Sequence, residues 1–413
     1  MPAPDPSPPA TPTAAAEASE SQSEQLRTLI QREIEAAGGT LPFDRFMELA
    51  LYAPGLGYYA AGATKLGPAG DFVTAPEISP LFGRCVATQC AEVLDALGGG
   101  DLLELGAGSG ALAADLLDAL AGADRLPGRY LILEPSPDLA QRQRALIAAR
   151  VPALAACVHW VTRPPAALRG MILANEVLDA MPVHRFCLPP LDLPGPDAPA
   201  AIAAAVREVL VRADGDGFAE VLDEPISPGL ASAVAGLGLP ATSLAEGICS
   251  EINLRLGPWL AMLAEQLAAG MVLLIDYGYP RHEYYLAERR DGTLLCHHRH
   301  RAHADPYAHL GMQDITAHVD FSAVAAAGSA AGLALAGYTT QANFLLGCGL
   351  DRHLHAVAGD DPEALLDLAA GAKQLVLPAA MGERFQAIAL TRDLQAPTAG
   401  WCGFAQRDLR ARL

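Results

Sequence analysis

No C-x-x-C pair occurs among the eight cysteines, which lie scattered at positions 85, 90, 157, 187, 249, 296, 348 and 402. That scatter supports neither a zinc knuckle nor a small secreted disulfide framework, so reduced, buried thiols in a reducing compartment are expected. No apolar run reaches the roughly 18 residues that a membrane-spanning helix needs, and no membrane span is expected. No Arg or Lys precedes Arg27. The chain therefore shows neither the basic start of a secretory signal nor the Arg-rich face of an organellar transit peptide, and a cytoplasmic protein is expected. Positive charge is short throughout: 28 Lys and Arg against 47 Asp and Glu leave a net charge of -19. Such a surface repels phosphate as a whole, which argues against nonspecific nucleic-acid binding and favours a positively charged protein partner. No internal repeat is visible.

Hydrophobic residues make up 51% of the 413 positions and charged ones 18%, enough for a large core in a chain whose length suggests two or three units. Residues 1–22 are Pro/Ala/Ser-rich without bulky apolar side chains and are expected to form a disordered tail. Residues 23–97 read as an N-terminal helical cap. Leu26, Leu29, Ile30 and Ile34 recur at helical spacing, further helices are expected over 42–51 and 81–97, and a Gly-rich, polar loop lies between. Residues 98–182 and 258–391 alternate strands and helices in the manner of a parallel sheet covered on both faces. Between them, 183–257 breaks the rhythm as an inserted subdomain. It carries one hairpin, Arg207-Glu-Val-Leu-Val-Arg212 against Phe218-Ala-Glu-Val-Leu222, whose Asp-Gly supplies the positive φ of the turn. In the second half a helix over 258–269 leads to a strand at 271–276, a polar excursion spans 277–320, and a helix is expected over 323–336. Residues 392–413 form a C-terminal tail.

The strongest local signal is Asp101-Leu-Leu-Glu-Leu-Gly-Ala-Gly-Ser-Gly110, which runs into Ala111-Leu-Ala-Ala-Asp-Leu-Leu-Asp-Ala-Leu120. A short apolar run, glycine at every second position and then apolar residues at helical spacing spell strand, tight turn and helix. Gly106, Gly108 and Gly110 let the backbone turn sharply and let a ligand approach, with the free N–H groups of the new helix facing it. Gly106, Gly108 and Ala111 also satisfy the dinucleotide pattern, which keeps a nicotinamide-dependent oxidoreductase and a plain structural turn open as alternatives. Two carboxylates discriminate. Glu104 ends the strand, and Tyr130-Leu-Ile-Leu-Glu134 ends a second strand where ribose hydroxyls are usually gripped. An acid inside the first turn repels a pyrophosphate and suits a cationic ligand. S-adenosyl-L-methionine, with its sulfonium and ammonium, fits.

Five further blocks accompany that stretch in order: Gly70-Asp-Phe-Val-Thr-Ala-Pro-Glu77, Asn175-Glu-Val-Leu-Asp-Ala-Met-Pro182, Ile275-Asp-Tyr-Gly278, Gly311-Met-Gln-Asp-Ile-Thr-Ala-His-Val-Asp-Phe321 and Met381-Gly-Glu-Arg-Phe385. Together they resemble the MidA-like family of S-adenosylmethionine-dependent methyltransferases, whose mitochondrial members methylate an arginine of a respiratory complex I subunit and assist its assembly. The resemblance implies the α/β class I methyltransferase fold, a seven-stranded, mostly parallel, Rossmann-like sheet. It also implies that Gly106, Gly108 and Gly110 bracket the methionine moiety of the cofactor, that Glu104 lies near its ammonium and that Glu134 holds the ribose. Phe72, Thr74 and Asn175 are the further cofactor-binding candidates, and a protein carrying an acceptor arginine is the implied partner.

Methyl transfer from a sulfonium is an in-line displacement in which positioning supplies most of the catalysis. A guanidinium is always cationic in water and a poor nucleophile, so carboxylates must hold it in a fork and favour charge on the nitrogen that does not react. Glu176, at the carboxyl edge of the sheet where ligands of open α/β sheets bind, is the first candidate, with Asp179, Glu77 and Asp276 behind it. Each could instead cap a helix or pair with a local arginine. His297, His298, His300 and His303 lack the spacing of a zinc site, so no metal is expected, and the mildly basic loop reads as a lid or a contact surface. The Ala/Gly-rich surface around 323–337 would suit packing in a homodimer. A chaperone-like assembly factor whose methylation is dispensable is the alternative from a different class.

Overall fold

The computed structural model describes residues 14–61, 73–191 and 198–413, and their side chains from residue 20 on. Seven strands form the central sheet: β1 (Asp101–Leu105), β2 (Tyr130–Leu133), β3 (Val158–Val161), β4 (Leu168–Asn175), β5 (Leu267–Tyr279), β6 (Ala334–Thr340) and β7 (Phe385–Arg392). Their order is β3-β2-β1-β4-β5-β7-β6, and a two-residue strand, Val319–Asp320, adds beside β5. β1 to β5 run parallel to their neighbours, while β7 runs antiparallel to both β5 and β6. The strand order reverses between β1 and β4, so the crevice beyond their carboxyl ends is the topological switch point at which such sheets bind ligands.

Alternating side chains of the sheet feed two cores. Met271, Leu273 and Ile275 face α4 (Pro80–Leu97) and α5 (Ala111–Gly122), whereas Val272 and Leu274 face the helices Leu256–Gln266 and Phe321–Ala330. Burial on both faces is why β5 reads as an unbroken apolar run. The helix Pro137–Arg150, which we label α6, follows β2. Pro137 takes its first turn and the Ser136 hydroxyl oxygen accepts from the Leu139 N–H.

Several elements differ from expectation. The first helix, α1, spans Ala14–Ala36 and so takes up nine residues of the expected tail, because Ala14-Ala-Ala-Glu-Ala is a strong helix former. Residues 1–13 of that tail lie outside the described residues. α4 packs on the sheet rather than within the cap. The helix expected over 258–269 stops at Gln266 because β5 starts at Leu267. The one expected over 323–336 stops at Ala330, and the stretch after it is β6. Ala334-Leu-Ala-Gly337 does not favour a strand, and only Tyr338-Thr-Thr340 does; the pairing with β7 carries the first half along. Phe321, Val324 and Gly328 of that helix are buried within the chain. Residues 392–413 are no loose tail. The Leu409 N–H donates to Tyr338 O at 2.7 Å and the Thr339 hydroxyl to Arg407 O at 2.5 Å, which straps the segment along the edge strand β6 and leaves less of that edge open to pairing.

The inserted subdomain forms a second, antiparallel sheet. Its strands are Leu41–Pro42, Arg207–Asp214, Gly217–Asp223, His184–Leu188 and Ile248–Ile252, including the expected hairpin. Cys187 and Cys249 sit opposite each other in this sheet and form a disulfide, with the other six cysteines free. This corrects the expectation of reduced thiols throughout: strand register brings together two cysteines 62 residues apart, a pairing that spacing does not display. Closing a loop of that length removes conformations from the unfolded chain worth up to about 4 kcal/mol. Reduction, or Cys187→Ser, is therefore expected to lower the melting temperature by several degrees in thermal melts with and without reductant.

The N-terminal cap packs on the polar excursion. Leu26 and Ile30 of α1, with Phe43 and Phe46 of α2 (Phe43–Tyr52), form one cluster with Cys296, Leu310 and Ile315. Arg255 ties α2 to the body of the protein, its Nε and one terminal nitrogen donating to Asp44 Oδ2 at 3.2 and 2.8 Å. Among the described residues, no helix is long and apolar enough to cross a membrane.

Candidate active site

Three glycines bend the chain between β1 and α5. Gly106, Gly108 and Gly110 all have positive φ, at 64°, 55° and 90°, in the left-handed region that side chains rarely adopt. A Cβ on Gly106 would lie 3.1 Å from Val177, and one on Gly110 would lie 3.2 Å from the Gln143 backbone. Gln143 is fully buried and links this turn to the second carboxylate: its Nε2 donates at 3.0 Å both to Gly108 O and to Glu134 Oε2. Trp160 Nε1 donates to Gln143 Oε1 at 2.8 Å and so fixes the amide's orientation, while the Ser136 N–H holds Glu134 Oε1 at 2.9 Å. Sequence reasoning missed Gln143, since a glutamine on an ordinary helix carries no signal.

Glu104 is buried at the end of β1, where the Tyr130 hydroxyl donates to its Oε2 at 2.7 Å. Burial pushes its carboxyl up from 4.5 to about 7, against the hydrogen bond from Tyr130. An acid with a raised pKa contributes stability that is complete below its unfolded value and is lost as pH rises through its folded value. The magnitude is of order 3 kcal/mol. Unliganded protein is therefore expected to lose thermal stability between pH 4.5 and about 7, and Glu104→Gln to flatten that slope in melts across the range.

The second half of the site lies beyond β4 and β5. Glu176 follows the last residue of β4 with φ of 53°, an uncommon conformation for a residue with a side chain and one that clusters at functional sites. Its carboxylate accepts from Asn175 Nδ2 at 3.0 Å and from the Ala75 N–H. Burial, then the neighbouring Asp179, pushes it up from 4.5 to about 8. Asp179 is 6% exposed, and the Tyr277 hydroxyl donates to its Oδ2 at 2.8 Å. Its Oδ1 is buried without a hydrogen-bond partner among the described residues, and burial raises its carboxyl from 3.8 to about 6. Asp314, which sequence reasoning did not single out, is buried close by and accepts from the Tyr59 hydroxyl at 2.8 Å.

Asp276 does not join this group. Its Oδ2 accepts from the N–H groups of Val177, Leu178 and Asp179 at 3.2, 2.9 and 3.3 Å, and its Oδ1 from that of Tyr277 at 2.9 Å. It holds the turn that carries Asp179, which corrects its place among the acceptor candidates.

One short helix joins the halves. α3 (Ala75–Ile78) presents the Ala75 N–H to Glu176, and its Glu77 carboxylate accepts from the Ser109 hydroxyl in the glycine turn. Glu77 thus stands at the turn rather than beside Asp179. Thr74 occupies the N-terminal cap position of α3 without a capping bond from its side chain. Phe72 lies outside the described residues. Among the described residues, no group of three or more His, Cys, Asp or Glu is arranged to hold a metal, and in the 297–309 loop His298 stacks on His309 at 4.2 Å.

The donor set fits a ligand with a cationic head and a ribose: the glycine turn, Glu104 in the strand before it, Glu134 just past β2, and an Asn175 Oδ1 buried without a hydrogen-bond partner among the described residues. The family described as "Putative S-adenosyl-L-methionine-dependent methyltransferase" matches residues 85–339, from α4 to the end of β6. The chain belongs to this methyltransferase family. A crystal structure of a Burkholderia thailandensis protein bound to S-adenosyl-homocysteine is 39% identical, covers 98% of this chain and 100% of its own, and superposes with a TM-score of 0.87. The zebrafish protein arginine methyltransferase NDUFAF7, mitochondrial, is 29% identical, with 85% of this chain and 83% of its own length matched. Its human counterpart is 26% identical, with 85% and 80% matched. The methyltransferase is thus an enzyme of the class I α/β fold whose cofactor is S-adenosyl-L-methionine. The same relatives correct the expected location. The zebrafish, fruit-fly and human proteins are all named mitochondrial, which speaks against the cytoplasm expected from the lack of basic residues before Arg27.

Proposed function

We propose that this methyltransferase methylates an arginine side chain of a partner protein, a respiratory complex I subunit being the class that the family resemblance implies. The observation that carries the reading is the cluster of Glu176, Asp179 and Asp314, which places three partly or fully buried carboxylates beyond the β4 and β5 edge with tyrosine hydroxyls on two of them. The names of the relatives support it. A neutral or anionic acceptor gains nothing from such a pocket, whereas a guanidinium presents five N–H donors to it.

Gly106, Gly108 and Gly110 would hold the methionine part of the cofactor, Glu104 its ammonium and Glu134 its ribose, with Asn175 and Thr74 at the rim. When bound, S-adenosyl-L-methionine supplies a methyl group on a sulfonium. The residues of the chain do the rest by orientation. Glu176 accepts two guanidinium N–H groups and draws positive charge towards the nitrogens it holds, leaving the third more nucleophilic. Asp179 Oδ1, without a hydrogen-bond partner among the described residues, would receive the proton that the reacting nitrogen sheds.

Incubating the enzyme with methyl-labelled cofactor and a cell extract, then identifying the labelled residue by mass spectrometry, tests the reading. Label on arginine is expected. Label on lysine, on a nucleic acid or on a small metabolite overturns it.

A further inference from the structure

Tyr52 closes α2 in the N-terminal cap, outside the methyltransferase sheet. Its hydroxyl donates to Ala180 O at 2.9 Å, one residue beyond Asp179. Its ring stacks on Tyr59 with centroids 5.5 Å apart and planes at 19°, and the Tyr59 hydroxyl is in turn spent on Asp314. Both rings are thus pinned to the acidic side of the site, yet Tyr52 stays 38% exposed. Beyond the effect of burial itself, the carboxylates that raise its phenol are Asp314, Asp179 and Glu134, in that order, so the ring stands among acceptor-side acids with the ribose-side acid next in strength. The ion pairs of Arg255 with Asp44 and Glu48 hold α2 in place, which makes the ring a fixed surface rather than a mobile flap. A large aromatic face kept exposed among carboxylates attracts a cation, and a flat cation can also stack on it.

We propose that Tyr52 is the stacking platform that selects a planar guanidinium over an ammonium at the acceptor site, an assignment that rests on the arginine reading above. Arginine recognition is then divided between two parts of the chain: the sheet edge supplies the carboxylates, and the cap supplies the flat surface that a lysine ammonium cannot exploit.

The test titrates butylguanidinium and butylammonium into enzyme saturated with S-adenosyl-homocysteine, comparing wild type, Tyr52→Phe and Tyr52→Leu. Wild type is expected to prefer the guanidinium by about fivefold or more. Tyr52→Phe, which keeps the ring, retains that ratio; Tyr52→Leu lowers it at least about threefold, with S-adenosyl-homocysteine affinity unchanged. A ratio undiminished in Tyr52→Leu overturns the assignment to Tyr52. A parallel loss of S-adenosyl-homocysteine affinity places Tyr52 in the cofactor site and overturns it as well. Wild type without any preference overturns the arginine reading, and this assignment with it.

Discussion

Glu176→Gln is expected to lower the rate of methyl transfer by about 100-fold to 1000-fold while leaving cofactor affinity within a factor of two or so, because a preorganised charge facing a reacting cation is worth several kcal/mol in a site shielded from water. The amide has the shape of the carboxylate and its one oxygen can still accept from Asn175 Nδ2, so the fold around the φ of 53° is retained while the charge is lost. The same residue sets a pH dependence. With its carboxyl raised to about 8, Glu176 holds a proton in the empty site at neutral pH, and a cationic acceptor must displace that proton to bind. Acceptor affinity is therefore expected to rise with pH, by up to about tenfold per unit, and to level off near 8. Wild-type KM measured from pH 6 to 9, beside the flat profile of Glu176→Gln, checks both statements.

Gly106→Val is expected to abolish measurable cofactor binding in calorimetry, with a loss of at least about 100-fold, since two penalties fall on one residue. A β-branched side chain at φ of 64° is strained by roughly 1–3 kcal/mol. Its Cβ also meets Val177 at 3.1 Å, in the turn that leads from Glu176 to Asp179. Relief of the clash moves either the glycine turn or that acidic turn, so acceptor binding is expected to suffer with cofactor binding. Gly38→Val is the control: its positive φ carries similar strain, but its Cβ would have nothing within 4 Å, and cofactor affinity is expected to stay at the wild-type value.

Much of the cofactor half was legible because it is local. A strand of Leu and Glu, glycines at every second position and an Ala/Leu helix occupy twenty consecutive residues, and each states its conformation without help from the rest of the chain. Glu134 was legible for the same reason, as an acid ending the next strand. The acceptor half was legible only in part. Glu176 and Asp179 stand out as acids just past a strand, but nothing near Asp276 distinguishes a carboxylate that faces a ligand from one that collects four backbone N–H groups. That difference is a matter of where neighbouring turns lie. Tyr52, Tyr59 and Asp314 reach the site from the cap and from the polar excursion, with Tyr52 128 residues from its partner Ala180, and no period or spacing links them to it.

By itself, then, the sequence determined the parallel sheet, the glycine turn with its two flanking acids and hence a ligand with a cationic head and a ribose, since apolar period, glycine and charge act over a few neighbouring residues. Only the tertiary structure decided that β6 already starts at Ala334, that Cys187 faces Cys249, that Asp276 serves the backbone and that the cap brings two tyrosines over the carboxylates. Each of those outcomes depends on which distant segment packs alongside, through strand register, burial and hydrogen-bond satisfaction, and those are properties of the folded chain rather than of any stretch of it.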